Sequence, residues 1–125
     1  MDARNYLERT TATAEKSRNE ELELFAAITS ARIQAASGKP ADRSGSMRQL
    51  RDVVARATSA TFAGIALEAR LALGEMELSS TNGAAGMLHL QALKKDALSG
   101  GFGLLVRKAD AALRMGREQA ALHNN

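Results

Sequence analysis

The stretch from Asp2 to Lys16 contains no glycine or proline, and Tyr6, Leu7, Thr10 and Ala14 recur on one face at helical spacing. Ser17 to Asn19 is a candidate break, because Asn19 can cap a following helix that carries Glu20 and Glu21 in its first turn. From there Leu22, Leu24, Phe25, Ile28, Ala31, Ile33 and Ala35 form a broad apolar stripe. Gly38 and Lys39-Pro40 end it, since glycine suits a helix C-terminus and proline cannot continue a helix. A single helix from Asp2 to Ser37 is the alternative, as neither glycine nor proline separates the two segments.

Lys39 to Ser46, rich in Ser, Gly, Asp and Pro, reads as a loop, with Ser44 or Ser46 opening a third helix in which Leu50, Val53, Val54 and Ala57 face the core. The pattern pauses from Thr58 to Gly64. A fourth helix then runs through Leu67, Leu71, Leu73 and Met76 to about Leu78. Ser79 to Gly83 is a turn signal, because Asn82-Gly83 accommodates positive φ angles. A fifth helix places Met87, Leu90, Leu93 and Ala97 inward before Gly100-Gly101 breaks it. The last begins near Phe102, carries Leu104, Leu105, Ala109, Ala112 and Leu113, and gives way to a polar tail at Ala121 to Asn125. The expected fold is all-α, with five or six helices at 2–16, 19–37, 46–58, 62–78, 84–98 and 102–118.

These elements repeat. Met47, Leu50, Ala57 and Phe62 return forty positions later as Met87, Leu90, Ala97 and Phe102. A second register carries Leu24, Ile28, Ala31 and Ile33 onto Phe62, Ala66, Ala69 and Leu71. Leu7 and Ala14 precede Leu50 and Ala57 by forty-three positions, so 2–16 reads as the second half of an incomplete repeat. Spacings of this size suit a helix pair with its connections, and a hairpin that leaves one apolar face bare is completed by stacking. One helical-repeat domain over 1–125 follows, divided into a partial repeat at 2–16, repeats at 19–58 and 62–98, and a terminal helix at 102–118.

Composition agrees. Apolar residues make up 45% of the 125, led by alanine and leucine, with one proline and no tryptophan, so helix formers dominate. The absence of cysteine excludes disulfides and thiolate metal sites. No apolar run approaches the roughly 20 residues that span a bilayer, and the polar start Met1 to Asn5 lacks the core of a signal peptide. The expected location is cytoplasmic, with no membrane partner. The net charge of +3, from 17 Lys and Arg against 14 Asp and Glu, predicts solubility more than a nucleic-acid partner.

Leu73-Gly74, then Asn82-Gly83 at the turn, then Gly86, Leu90 and Leu93 resemble a tetratricopeptide repeat (TPR). In that family a Leu-Gly pair sits on the first helix of each hairpin. A small residue opens the second, with a large apolar residue four positions on and a small one three further. Gly74, Gly86 and Leu90 match; Leu93 exceeds the size of the last position, and Leu98 stands where the family has proline. In the earlier repeat Ala36, Ser46 and Leu50 take the corresponding places. Glu68 to Glu75 with Gly101 to Leu104 are also similar to the C-terminal helical repeats of large bacterial regulatory proteins, which carry kinase, cyclase or winged-helix domains upstream. The resemblance implies a TPR-like α-solenoid acting as a non-catalytic protein-interaction module or scaffold, part of a larger bacterial protein.

Catalytic chemistry finds little support in the residues. Of the two histidines, His123 sits in the terminal tail and His89 lies between Leu88 and Leu90 as an ordinary helix residue. No His-x-x-x-His or Glu-x-x-His pair offers metal ligands. Glu75 and Glu77, two positions apart, point to different sides of a helix. Gly100-Gly101-Phe102-Gly103 lacks the Gly-Lys-Ser/Thr ending of a phosphate loop and no strand precedes it. There, Phe102 is expected to plug the joint between hairpins, as Phe62 does earlier. No enzyme activity, cofactor or metal is expected.

Stacked hairpins line a concave surface mainly with the first helix of each pair, here 19–37, 62–78 and 102–118. Arg32, Arg70, Glu77 and Lys108 are the expected contacts for a protein or peptide partner, since an arginine fork grips a carboxylate bidentately. A second copy of the chain is a further candidate partner, through the uncovered edge at Tyr6 and Leu7. Nucleic-acid binding through basic helix faces is the alternative reading. Lys39, Arg43, Arg48, Arg51 and Arg56 outnumber Asp42 and Asp52, and Lys94, Lys95, Arg107, Lys108, Arg114 and Arg117 outnumber Asp96 and Asp110. The near-absence of stacking aromatics and of a helix-turn-helix pattern weighs against it.

Overall fold

The computed structural model describes residues 2–123, and of His123 the backbone only. The chain forms five helices: α1 (Ala3–Ala35), α2 (Pro40–Ser59), α3 (Ala63–Leu78), α4 (Gly83–Gly100) and α5 (Gly103–His123). No strand occurs among the described residues. Consecutive helices are joined by short turns and pack on one another as antiparallel hairpins. α3 is the centre of the stack and packs against all four others. α1 and α5 flank it on one side, α2 and α4 on the other, and neither α1 and α5 nor α2 and α4 approach each other closely among the described residues. One apolar cluster joins Leu24, Ile28 and Ala31 of α1 to Leu50, Val53 and Ala57 of α2 and Ile65, Ala69 and Ala72 of α3. The second joins Leu67 and Leu71 of α3 to Leu90, Leu93 and Ala97 of α4 and Leu105, Ala109 and Leu113 of α5.

The forty-residue register is realised in burial. Ser46, Leu50, Val53 and Ala57 of α2 are buried, as are Gly86, Leu90, Leu93 and Ala97 of α4. The turns repeat as well. Phe62 N–H donates to the Ala57 carbonyl and Phe102 N–H to that of Ala97, each at 2.8 Å, and the residue before each phenylalanine is left-handed: Thr61 at φ 63° and Gly101 at φ 79°. This is the Schellman arrangement, in which a left-handed residue lets the next amide satisfy an orphan helix carbonyl. Phe62 and Phe102 each pack on a core cluster, so both plug their joints as expected.

The thirty-eight-residue register is not realised. It matches Ile33, 70% exposed, with Leu71, 2% exposed. The structure relates α1 to α3 by forty-three instead: Leu24, Ile28, Ala31 and Ala35 occupy the places of Leu67, Leu71, Gly74 and Leu78, each set facing the helix that follows.

The segments 2–16 and 19–37 form one helix; the expected break at Ser17 to Asn19 is absent. At the sites where the other joints place Thr61-Phe62 and Gly101-Phe102, this segment has Arg18-Asn19. Arginine is poorly suited to left-handed backbone and asparagine supplies no aromatic plug, so nothing stops the helix. All residues from Asp2 to Lys16 are exposed, and this arm extends past the stack. Its sixteen residues, Ala3 to Arg18, span about 24 Å.

Four further expectations change. Lys39 to Ser46 is helix from Pro40 onward: proline at the first position needs no donor and has a helical φ, Asp42 sits in the positive first turn, and Ser37 Oγ bridges Lys39 N and Asp42. Asn82 has φ −99° and Gly83 opens α4 without a positive φ, because Ser80 Oγ accepts from Asn82 N and donates to the Glu77 carbonyl, closing the turn with ordinary backbone. α5 continues to His123, since Arg117 to Leu122 contains no glycine or proline. Leu22, Phe25, Ile33 and Leu104, expected inside, are exposed, because each lies off the azimuth that faces a neighbour.

Candidate functional grooves on either side of the central helix

Because α3 has neighbours at four corners, two of its flanks stay open. Glu68, Leu71, Glu75 and Leu78, spaced 3-4-3, form one flank; Arg70, Leu73 and Glu77, spaced 3-4, form the nearly opposite one. Each flank is the floor of a groove.

The first groove, about 540 Å³, lies between α1 and α5. Leu71, Leu78, Ala111, Ala112 and Met115 give it an apolar interior, and Met115 is 59% exposed. Two ion pairs cross its rim: Arg32 Nη2 of α1 to Glu75 Oε1 of α3 at 3.4 Å, and Lys108 Nζ of α5 to Glu68 Oε1 at 3.5 Å. These long, partly exposed contacts hold side chains in place weakly, so either pair can exchange its partner for a ligand charge at small cost.

The second groove, about 470 Å³, lies between α2 and α4. Val54, Ala55, Leu73 and Ala92 line it with Arg51, Arg70, Glu77 and His89. Here Arg70 Nη1 is fixed to Asp96 Oδ2 at 2.8 Å, and the carboxylate of Glu77, its side chain 12% exposed, meets His89 Nδ1 at 2.8 Å.

The four residues expected to share one surface therefore divide. Arg32 and Lys108 line the α1/α3/α5 groove, whereas Arg70 and Glu77 face the α2/α3/α4 groove. The cause is the helical period: seven positions separate Arg70 from Glu77 and keep them together, while Glu68 and Glu75 take the other flank. Glu75 and Glu77 do point to different sides. The partners Glu68, Glu75 and Asp96 and the groove residue Met115 were not among the expected contacts, although the 3-4-3 spacing of Glu68, Leu71, Glu75 and Leu78 carried the signal for the first two.

Several of the basic residues are engaged within the fold. Besides the pairs above, Arg56 meets Asp52 at 3.9 Å, Lys94 meets Asp110 at 2.7 Å, and Arg43 donates to the Ser79 carbonyl at 3.2 Å. Among the described residues no three His, Asp or Glu side chains converge as metal ligands, and no helix is long and apolar enough to cross a membrane. His89 is an exposed helix residue held by Glu77; the side chain of His123 lies outside the described residues. Comparison with protein-family models, curated proteins and solved structures gave no match.

Proposed function

We propose that the protein is a non-catalytic, TPR-like interaction module whose α1/α3/α5 groove holds a peptide segment of a partner protein. The observation that carries this reading is the groove itself: an apolar floor from α3 and α5, walled on the α1 side by Arg32 and ringed by two weak ion pairs of both signs. A segment with one large apolar side chain flanked by charges would seat that side chain against Leu71 and Met115 and exchange its charges with Glu68–Lys108 and Arg32–Glu75. The pairing of basic residues within the chain favours this over nucleic acid, because phosphate binding needs free cations gathered on one face. The cytoplasmic setting and the place within a larger bacterial regulatory protein belong to the same proposal.

The test is selection of a displayed peptide library against the wild-type protein, followed by calorimetry on synthetic peptides. Met115→Asp should weaken selected peptides by on the order of tenfold or more, while Arg70→Glu, on the opposite flank, should leave them unchanged. Loss on Arg70→Glu alone would move the ligand to the α2/α3/α4 groove. Absence of any peptide sensitive to either variant would refute groove binding.

A further inference from the structure

The forty-three-residue register that relates α1 to α3 extends through the exposed arm. Ala3, Leu7, Thr10 and Ala14 stand where α2 has Ser46, Leu50, Val53 and Ala57, and where α4 has Gly86, Leu90, Leu93 and Ala97: small, leucine, branched, alanine. The arm thus has the pattern of the second helix of a hairpin, yet none of these four residues is covered. The same register applied to the docked half of α1 shows what is missing. On α3 the face that receives α2 is Ile65, Ala69, Ala72 and Met76, and on α5 the face that receives α4 is Leu105, Ala109, Ala112 and Gly116. On α1 the equivalent residues are Leu22, Ala26, Thr29 and Ile33, and all are exposed, Leu22 by 61% and Ile33 by 70%. One chain therefore carries both a helix patterned to be received and an empty face patterned to receive it.

They cannot meet within one copy as it stands, because Ala3 to Ala35 is a single unbroken helix with no turn between them. We infer that two copies exchange arms: α1 helices pair antiparallel about a two-fold axis near Arg18, each arm lying on the Leu22–Ile33 face of the other copy. The lengths agree, since the arm Ala3–Arg18 and the face Glu20–Ala35 are sixteen residues each. The two reciprocal contacts, each about 24 Å long and 10 Å wide, bury about 1,000 Å² in all, at the threshold of a specific interface. Beside the axis Lys16 of one copy approaches Glu20 of the other, a pairing of opposite charge, while Arg18 meets its own counterpart across the axis. The arm continues a helix already nucleated by its docked half, and the exchange would supply the tertiary contacts it lacks within one copy. At the other end of the stack the register is not apolar: Leu67, Leu71, Gly74 and Leu78 of α3 become Arg107, Ala111, Arg114 and Glu118 on α5, a largely polar set of positions. This assembly is an exchange of identical elements between protomers.

The mass in solution by light scattering across a concentration range should be that of a dimer. Ile33→Glu and Leu7→Glu, both at exposed positions of the single copy, should each weaken the dimer by on the order of a hundredfold while the helical circular dichroism of the stack persists. Installing the missing turn with Arg18→Gly and Asn19→Phe should convert the dimer to a monomer of unchanged helicity, the arm folding back on its own copy. The chain has no cysteine, so Leu7→Cys with Thr29→Cys gives a direct register test. These positions correspond to Leu50 and Ala72, which share a cluster, and oxidation should link two copies on a non-reducing gel, whereas either single variant should not. A wild-type monomer at all concentrations, a dimer indifferent to Ile33→Glu, or a cysteine pair that closes within one chain would each overturn the exchange.

Discussion

Thr61 occupies left-handed backbone at φ 63° in a turn where its forty-residue counterpart is Gly101 at φ 79°. A β-branched side chain in this region places Cβ against the neighbouring carbonyl at a cost of roughly 1–2 kcal/mol, while glycine surrenders about 0.5–1 kcal/mol of additional chain entropy on folding. Thr61→Gly should therefore stabilise the protein by about 0.5–1 kcal/mol. The reverse exchange, Gly101→Thr, should cost a similar amount, and the cost is one of backbone alone because a Cβ built at Gly101 meets nothing within 4 Å. For a chain of this length these values correspond to shifts in Tm of about 2–5 °C in opposite directions. Thermal unfolding followed by circular dichroism measures both, with urea titration to check that the m-value is unchanged. The double exchange should return Tm close to wild type, because the two turns lie in different clusters. A lower Tm for Thr61→Gly, or an unchanged one for Gly101→Thr, would show that the left-handed residue does not set the energy of these joints.

Three other substitutions probe the packing. Gly86→Ala should destabilise by about 1–2 kcal/mol in urea titration, since its Cβ would lie 2.9 Å from the Leu78 amide nitrogen and 3.1 Å from the Gly74 carbonyl; a gain of the ~1 kcal/mol that alanine offers a helix would refute the close crossing. Ser46→Ala should stabilise by about 1 kcal/mol in the same assay, because the Ser46 hydroxyl is fully buried without a partner among the described residues. Arg70→Glu places a carboxylate beside Asp96 on a partly exposed pair and should lower stability by less than about 1 kcal/mol with the helical spectrum intact.

Legibility differed from element to element for definite reasons. The cores of α2, α3 and α4 could be read directly, because Leu50, Val53, Leu71, Leu90 and Leu93 sit at helical spacing with both neighbours in the same chain. α1 misled, because apolar residues surround it: Leu24 and Ile28 face α2, whereas Leu22, Phe25 and Ile33 face no element of their own copy. An apolar stripe states that a face is fit for burial and leaves open what buries it. Pro40 misled for another reason: it permits a loop without demanding one. Asn82-Gly83 did mark the turn between α3 and α4, but not its backbone, and the hydrogen bonds of Ser37 and Ser80 decided which backbone was used.

For the candidate site, the residue types were legible and their grouping was not. Arg32, Lys108, Arg70 and Glu77 all carry charge at partly exposed helix positions, but two grooves divide them because α3 presents opposite flanks to different neighbours. Local periodicity and turn chemistry act within a few residues, so the sequence by itself determined an all-helical chain, its forty-residue recurrence and the phenylalanine joints. Which helix lies at the centre and which flanks remain open depend on packing between different helices. Only the packed structure decides those, because each helix chooses its orientation by the faces its neighbours leave uncovered.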